Sequence, residues 1–222
     1  ARFRPSADGN PGDPTRWLHM VQPAWSLDPL WVRFPTIAMR WEFSPEEAPL
    51  SYLEPTKVAQ QSAFGVGLNF QVDRNVQGGA LMSGNRQFAW GLGVQASNQL
   101  WFDLPSCAQG FRTRIGLDRV AGDWGCARAR IYLDHLEGKP LYESKLLIGS
   151  AEVIDTGVLP VSGAKSLVLV ADSADKDTPP GADPLDICDA LNWLEPVVLF
   201  DRDKLLAEVR RYWNKAMLGL DA

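Results

Sequence analysis

One pattern constrains this chain more than any other. From Leu50 to Phe200 it runs in short stretches that alternate apolar and polar residues, parted by turn residues, with no helical pattern between them. Phe111, Thr113, Ile115 and Leu117 alternate with Arg112, Arg114, Gly116 and Asp118. Ala127, Ala129, Ile131 and Leu133 alternate with Arg128, Arg130, Tyr132 and Asp134. A period of two gives each strand one buried and one wet face. Lys57–Phe64, Arg86–Trp90, Gln99–Leu104, Pro140–Ile148, Glu152–Leu159, Ser166–Ala171 and Trp193–Phe200 continue the series. Many short strands without intervening helices predict an all-β, antiparallel β-sandwich of jelly-roll type.

Within it, Asp73 to Pro105 stands out. Gly91 and Gly93 flank Leu92, so the backbone there can turn sharply or lie close against a neighbour. Leu100, Phe102 and Leu104 then face one way, Trp101 and Asp103 the other. The reading is a glycine-rich corner that feeds a strand. It is not a phosphate-binding turn, because Ala96 stands where the third glycine is needed and no helix pattern follows.

The two ends differ from the middle. Residues 1–16 are rich in Pro, Gly and polar residues and read as a linker or an ordered wrap. Residues 17–43 carry Trp17, Trp25, Trp31, Trp41, Phe34 and Phe43, broken by Pro23, Pro29 and Pro35. Trp31–Phe34 and Ile37–Phe43 read as strands, but so short a segment cannot build its own core. It is expected to pack on the main domain, on a missing upstream domain, or on a partner. At the other end, Leu205, Val209, Tyr212 or Trp213, and Ala216 recur at helical spacing. Asp201 or Asp203 can cap that helix and Gly219 can end it. It either packs on the core or meets a partner. The expected division is 1–48, an N-terminal extension; 49–201, the sandwich; and 202–222, an amphipathic helix.

Several classes of function are disfavoured. The net charge is −5 and no basic face is evident, so a nucleic-acid partner is not expected. No run of apolar residues is long enough to span a membrane. The two histidines, His19 and His135, stand beside no nucleophile in sequence, and no enzyme is expected. Cys107, Cys126 and Cys188 are odd in number and form no CxxC. They are either buried thiols or one disulfide with one thiol left over. The acidic stretch Asp172–Asp189 is a solvated loop, or else Asp172, Asp175 and Asp177 offer oxygens to Ca²⁺. No other cofactor is indicated.

Three stretches together carry a resemblance. Asp73–Pro105, the strand end Arg114-Ile115-Gly116-Leu117-Asp118, and Asp189-Ala190-Leu191-Asn192-Trp193 resemble a novel carbohydrate-binding-module family, close to the family-51 carbohydrate-binding modules. The likeness runs from about residue 50 to 201. It implies a β-sandwich that binds a glycan without catalysis, through loops at one end. It implies as site residues Gln95, Asp118, Trp124, Asp189, Asn192 and Trp193, which supply hydrogen-bonding groups and aromatic faces. It implies a galactose- or N-acetylhexosamine-type partner and a secreted, periplasmic or cell-surface location. It also brings Cys126 and Cys188 to the same end, where they form the expected disulfide. The chain departs from the family twice. Gln95 stands at a motif histidine, and Asp189-Ala190-Leu191-Asn192-Trp193 replaces Asp-His-Ala-Asp-Trp. Both motif histidines are gone, which leaves a second reading: a structural protein that uses the sandwich, the Trp-rich segment and the helix for protein contacts.

Overall fold

The computed structural model describes residues 18–21, 30–33, 43–61, 68–173 and 188–218, with side chains for 43–61, 68–173 and 188–215. The chain divides into two units, Ala1–Pro45 and Glu46–Ala222. The first unit contains a hairpin of β1 (Leu18–Val21) and β2 (Leu30–Arg33), paired from Leu18 against Arg33 to Val21 against Leu30. The second strand expected there, Ile37–Phe43, falls almost wholly outside the described residues.

The second unit is built almost wholly of strands. In chain order they are β3 (Glu47–Pro49), β4 (Lys57–Gln60), β5 (Gln71–Val72), β6 (Leu81–Ser83), β7 (Arg86–Phe88), β8 (Gly91–Gln95) and β9 (Asn98–Asp103). They continue with β10 (Ala108–Leu117), β11 (Cys126–Leu133), β12 (Tyr142–Glu143), β13 (Leu147–Ile148), β14 (Val153–Asp155), β15 (Leu159–Pro160), β16 (Ser166–Asp172) and β17 (Ala190–Phe200), and end in helix α1 (Arg202–Leu218). One sheet runs β14-β10-β17-β8-β5, with β15 on β10 and β3 on β17. The other runs β12-β11-β16-β9-β4, with β13 on β11. The pairings are antiparallel throughout, and the hairpin β6–β7 forms a small third sheet.

The alternation in the sequence sets the core. Leu92, Val94, Phe111, Ile115, Leu191 and Trp193 from the first sheet meet Leu100, Phe102, Ala129, Ile131, Leu167 and Leu169 from the second. All are essentially sealed from solvent. Period two put them there, since in each strand every second residue points inward.

Two features differ from the sequence reading. The glycines are not a corner that precedes the strand. Gly91–Gln95 is itself β8, hydrogen-bonded on both sides, and the turn into β9 falls at Ala96–Ser97. The outer face of β10 is also not uniformly wet, because β6–β7 folds over the first sheet. Leu81 and Phe88 pack there on Leu194 of β17, and Gly116 and Asp118 are buried. Farther along, β17 tolerates Pro196 because the ladder slips. The register passes from Arg114–Leu194 to Arg112–Val197, with Glu195 at φ 51°. A bulge is where a strand can hold a residue with no N–H to donate.

Helix α1 starts as its capping residue dictates, with the Asp201 carboxylate accepting from the Lys204 N–H at 3.0 Å. Near it, burial and the neighbouring Glu208 carboxylate push the Cys107 thiol up. All three cysteines are thiols, and no disulfide joins Cys126 to Cys188. The segments that hold them are adjacent nonetheless, but a hydrogen bond from the Cys126 N–H to Asp189 Oδ1 at 2.7 Å joins them instead. Intact mass is therefore expected to be unchanged by reductant, and three thiols to titrate in denaturant. A gain of two mass units on reduction is the contrary result.

Candidate functional site

The ends of β4, β8, β10 and β16 and the starts of β9, β11 and β17 converge at one end of the sandwich, as their registers require. Five of the six expected site residues lie in these strands or beside them, and Trp124 stands in the turn between β10 and β11. The structure thus brings all six to one end. It gives them different jobs.

Asp118 is wholly buried, and its carboxylate accepts four hydrogen bonds. Oδ1 takes the Val120 N–H at 3.0 Å and Asn75 Nδ2 at 3.1 Å. Oδ2 takes the Met82 N–H at 3.0 Å and Asn192 Nδ2 at 2.6 Å. A carboxylate offers about four acceptor sites, so none is left for a ligand hydroxyl. Asn192 also donates to Ser83 Oγ at 3.1 Å, while its Oδ1 has no hydrogen-bond partner among the described residues. Trp193 is fully buried in the core and presents no face to solvent. Asp189 is buried and holds the Cys126 N–H. Gln95 is buried at the end of β8, where its main-chain carbonyl accepts from Gln60 Nε2 at 2.9 Å. Only Trp124 stands open, at 61% exposure.

The expectation that these six side chains line one sugar pocket therefore does not match their placement. Asp118, Asn192 and Trp193 build the scaffold under the loops. The amide at 192 is needed there: a carboxylate in its place would set its oxygen against Asp118 Oδ2, where two negative charges repel. Sequence reasoning missed the partners of this network, Asn75 from a loop and Met82 and Ser83 from strand β6, all far from Asp118 and Asn192 in sequence. Gly93 was the one legible signal, and Gly116 repeats it from the other side. Asn192 lies in register between Gly93 of β8 and Gly116 of β10. A Cβ on Gly93 would come within 2.4 Å of the Arg74 carbonyl and 2.6 Å of Asn75 Cα, and one on Gly116 within 2.9 Å of Ser83 Cβ. The two bare positions let the chain at 74–75 and hairpin β6–β7 lie directly on the sheet. Gly93→Ala is expected to lift Asn75 off Asp118 and cost at least about 2 kcal/mol, as overpacking does. Urea unfolding measures this, and an unchanged midpoint would contradict the account.

Trp124 sits in a turn that is tied on every side. The Gly125 N–H donates to the Ala121 carbonyl at 3.2 Å, the Gly149 N–H to the Gly125 carbonyl at 2.9 Å, and the Ser150 N–H to the Gly122 carbonyl at 3.0 Å. Asp118 caps the start of the turn. Its chain neighbour Asp123 is exposed too, so the turn offers solvent an indole and, one residue before it, a carboxylate. Asp123 was not singled out from the sequence, since one Asp in a loop carries no pattern.

At the same end a second polar cluster lies along the edge of the second sheet. Asn98 Nδ2 donates to Gln60 Oε1 at 2.6 Å, and the Ser97 and Ser173 hydroxyls lie 3.2 Å apart. Asp172, offered as a metal ligand, pairs with Arg130 on the outer face of the second sheet. Asp175 and Asp177 lie outside the described residues, and no metal-competent group of His, Cys, Asp or Glu occurs among the described ones.

Comparison with known proteins follows the same outline. A model of the NPCBM/NEW2 domain matches residues 46–196. The CBM51-2 and INT domains of Clostridium perfringens ZmpB align with 69% of this chain and 31% of their own, at 22% identity and a TM-score of 0.58. The same CBM51-2, solved with GlcNAc and the INT domains, aligns over 87% of this chain and 43% of its own, at 19% identity and a TM-score of 0.59. CBM51 from Clostridium perfringens GH95, solved in complex with methyl-galactose, aligns over 68% and 99%, at 20% identity and a TM-score of 0.55. Identities this low carry the fold. The chain spans about a third of the first of these relatives. No curated protein sequence matches it.

Proposed function

The chain belongs to the NPCBM/NEW2 domain family, a family of carbohydrate-binding-module sandwiches, and from that membership we propose that it binds a glycan on the Trp124 end without catalysing a reaction. The observation that carries the reading is the Trp124 turn. A sugar ring presents an apolar face of C–H groups and a rim of hydroxyls. An exposed indole on a hydrogen-bonded turn offers the matching flat face. The neighbouring Asp123 carboxylate can accept from hydroxyls. Galactose and N-acetylglucosamine are the sugars to try first, because structural relatives were solved with methyl-galactose and GlcNAc. Since both motif histidines are absent and Asn192 is spent internally, recognition rests on stacking more than on directional bonds.

A glycan-binding domain of this kind works where free and cell-surface glycans are met, and a secreted, periplasmic or cell-surface location goes with the reading. No described helix is long and apolar enough to cross a membrane. Calorimetric titration with methyl-galactose and N-acetylglucosamine, followed by a glycan array, is the direct test. Silence across the array would overturn the reading. A second reading, a scaffold for protein contacts, is favoured by the open face of α1.

A further inference from the structure

The side chains that could have enclosed a single sugar at the Trp124 end are already used. Asp118 has its acceptor sites filled, Asn192 donates to Asp118 and Ser83, and Trp193 is inside the core. What they leave for a ligand is a surface. A pocket commonly buries about 70–90% of a small ligand, whereas one exposed indole covers one face of one ring. A glycan that gains further contact here gains it sideways, along the protein, with further sugar units.

A second polar point stands beside the first. Hairpin β6–β7 turns through Gly84 and Asn85, since Ser83 pairs with Arg86, and Gly84 takes φ 58°. Asn85 is exposed at the tip, and its amide has no hydrogen-bond partner among the described residues. The three residues before it are each fastened. The Met82 N–H donates to Asp118 Oδ2 at 3.0 Å, Ser83 Oγ accepts from Asn192 Nδ2 at 3.1 Å, and the Gly84 N–H donates to the Ser150 carbonyl at 2.7 Å.

The hairpin tip and the Trp124 turn are tied to each other twice. Asp118 takes the Met82 N–H of the hairpin on Oδ2 and the Val120 N–H of the turn on Oδ1. Ser150 donates its N–H to the Gly122 carbonyl at 3.0 Å and accepts the Gly84 N–H on its own carbonyl. One residue and two hydrogen bonds therefore hold the Gly122 oxygen and the Gly84 nitrogen within about 10 Å of each other. The indole stands at the Gly122 end of this span, since a Cβ on Gly122 would lie 3.9 Å from Trp124 Cδ1. A short oligosaccharide covers the step from there to Asn85. The spacing is set before the ligand arrives, which spares the cost of ordering the two loops.

We propose that the ligand of the Trp124 end is an oligosaccharide chain: one sugar unit stacks on Trp124, and another unit along the chain hydrogen-bonds to the Asn85 amide at the tip of β6–β7. This rests on the glycan reading and narrows it from a sugar to a chain. An amide both donates and accepts, as every hydroxyl does, so Asn85 can meet two adjacent hydroxyls of one ring.

The test is calorimetric titration of the full chain with N-acetylglucosamine and its β-1,4-linked dimer, trimer and tetramer, and with methyl-galactose and the β-1,4-linked galactose oligomers. In the series that binds, the trimer is expected to bind at least about tenfold more tightly than the single sugar, a difference of about 1.4 kcal/mol. Asn85→Ala should shrink that ratio towards one, whereas Trp124→Ala should weaken every length. The Asn85 side chain is exposed, so circular dichroism and the melting temperature should report unchanged folding. An affinity independent of length overturns the proposal and leaves the glycan reading in place. A length dependence that Asn85→Ala preserves also overturns it. Silence to every length in both series overturns the proposal, and silence across the glycan array as well overturns the glycan reading with it.

Discussion

Asp118→Ala is expected to lower the stability of the sandwich by about 3–5 kcal/mol, a fall in melting temperature on the order of 10 °C. The reason is arithmetic of hydrogen bonds. The Val120 and Met82 N–H groups and the Asn75 and Asn192 amides all donate to this one buried carboxylate. Without it four donors lose their acceptor, and a buried donor left alone costs about 1–3 kcal/mol, offset in part by water entering the space. Asp118→Asn separates shape from chemistry. The amide has nearly the same volume, but whichever way it turns, its NH₂ faces two donors. A loss of about 2–4 kcal/mol is expected for it. Thermal and urea unfolding measure both. A neutral effect of Asp118→Asn would mean that the four bonds do not hold together in solution.

Trp124→Ala is expected to do the opposite: to spare stability and remove function. The indole is largely in solvent, so the melting temperature should move by no more than a surface substitution moves it, within about 0.5 kcal/mol. Sugar affinity should fall by about 2 kcal/mol, roughly thirtyfold in Kd, as loss of an aromatic anchor commonly costs. Trp124→Phe should lie between, since a smaller ring keeps part of the stacking face. Titration with the sugar that binds the parent chain decides it. If Trp124→Ala binds as the parent does, the glycan site is elsewhere on the molecule. The two variants are diagnostic as a pair. Asp118→Asn should weaken binding only as far as it loosens the turn, whereas Trp124→Ala should weaken binding at full stability.

The strands were legible because period two reports burial directly. Phe111, Ile115 and Leu117 on β10 and Ala129 and Ile131 on β11 alternate in sequence and face the core in the structure. Pro196 and the slip at Glu195 were not legible, because a bulge depends on the partner strand. The capping of α1 was legible, since Asp201 acts within its own turn. The site was legible only in part. The sequence could nominate Asp118, Asn192, Trp193 and Trp124 as residue types suited to a sugar, but it could not say which were exposed.

By itself, then, the sequence determined the all-β architecture, the terminal helix and, at Gly91 and Gly93, a backbone free either to turn sharply or to approach a neighbour. These follow from local periodicity, capping and the missing Cβ. Only the tertiary structure decided what the glycines are for and which candidates remain for a ligand. Gly93 and Gly116 admit Asn75 and Ser83 to the sheet, Asp118 and Asn192 lock the resulting network, and Trp193 fills the core. Trp124 stays in solvent on a turn whose backbone is tied to the loop at Gly149 and Ser150. Each of those outcomes depends on groups brought together from opposite ends of the chain, and hydrogen-bond capacity is used up in space, not along the sequence.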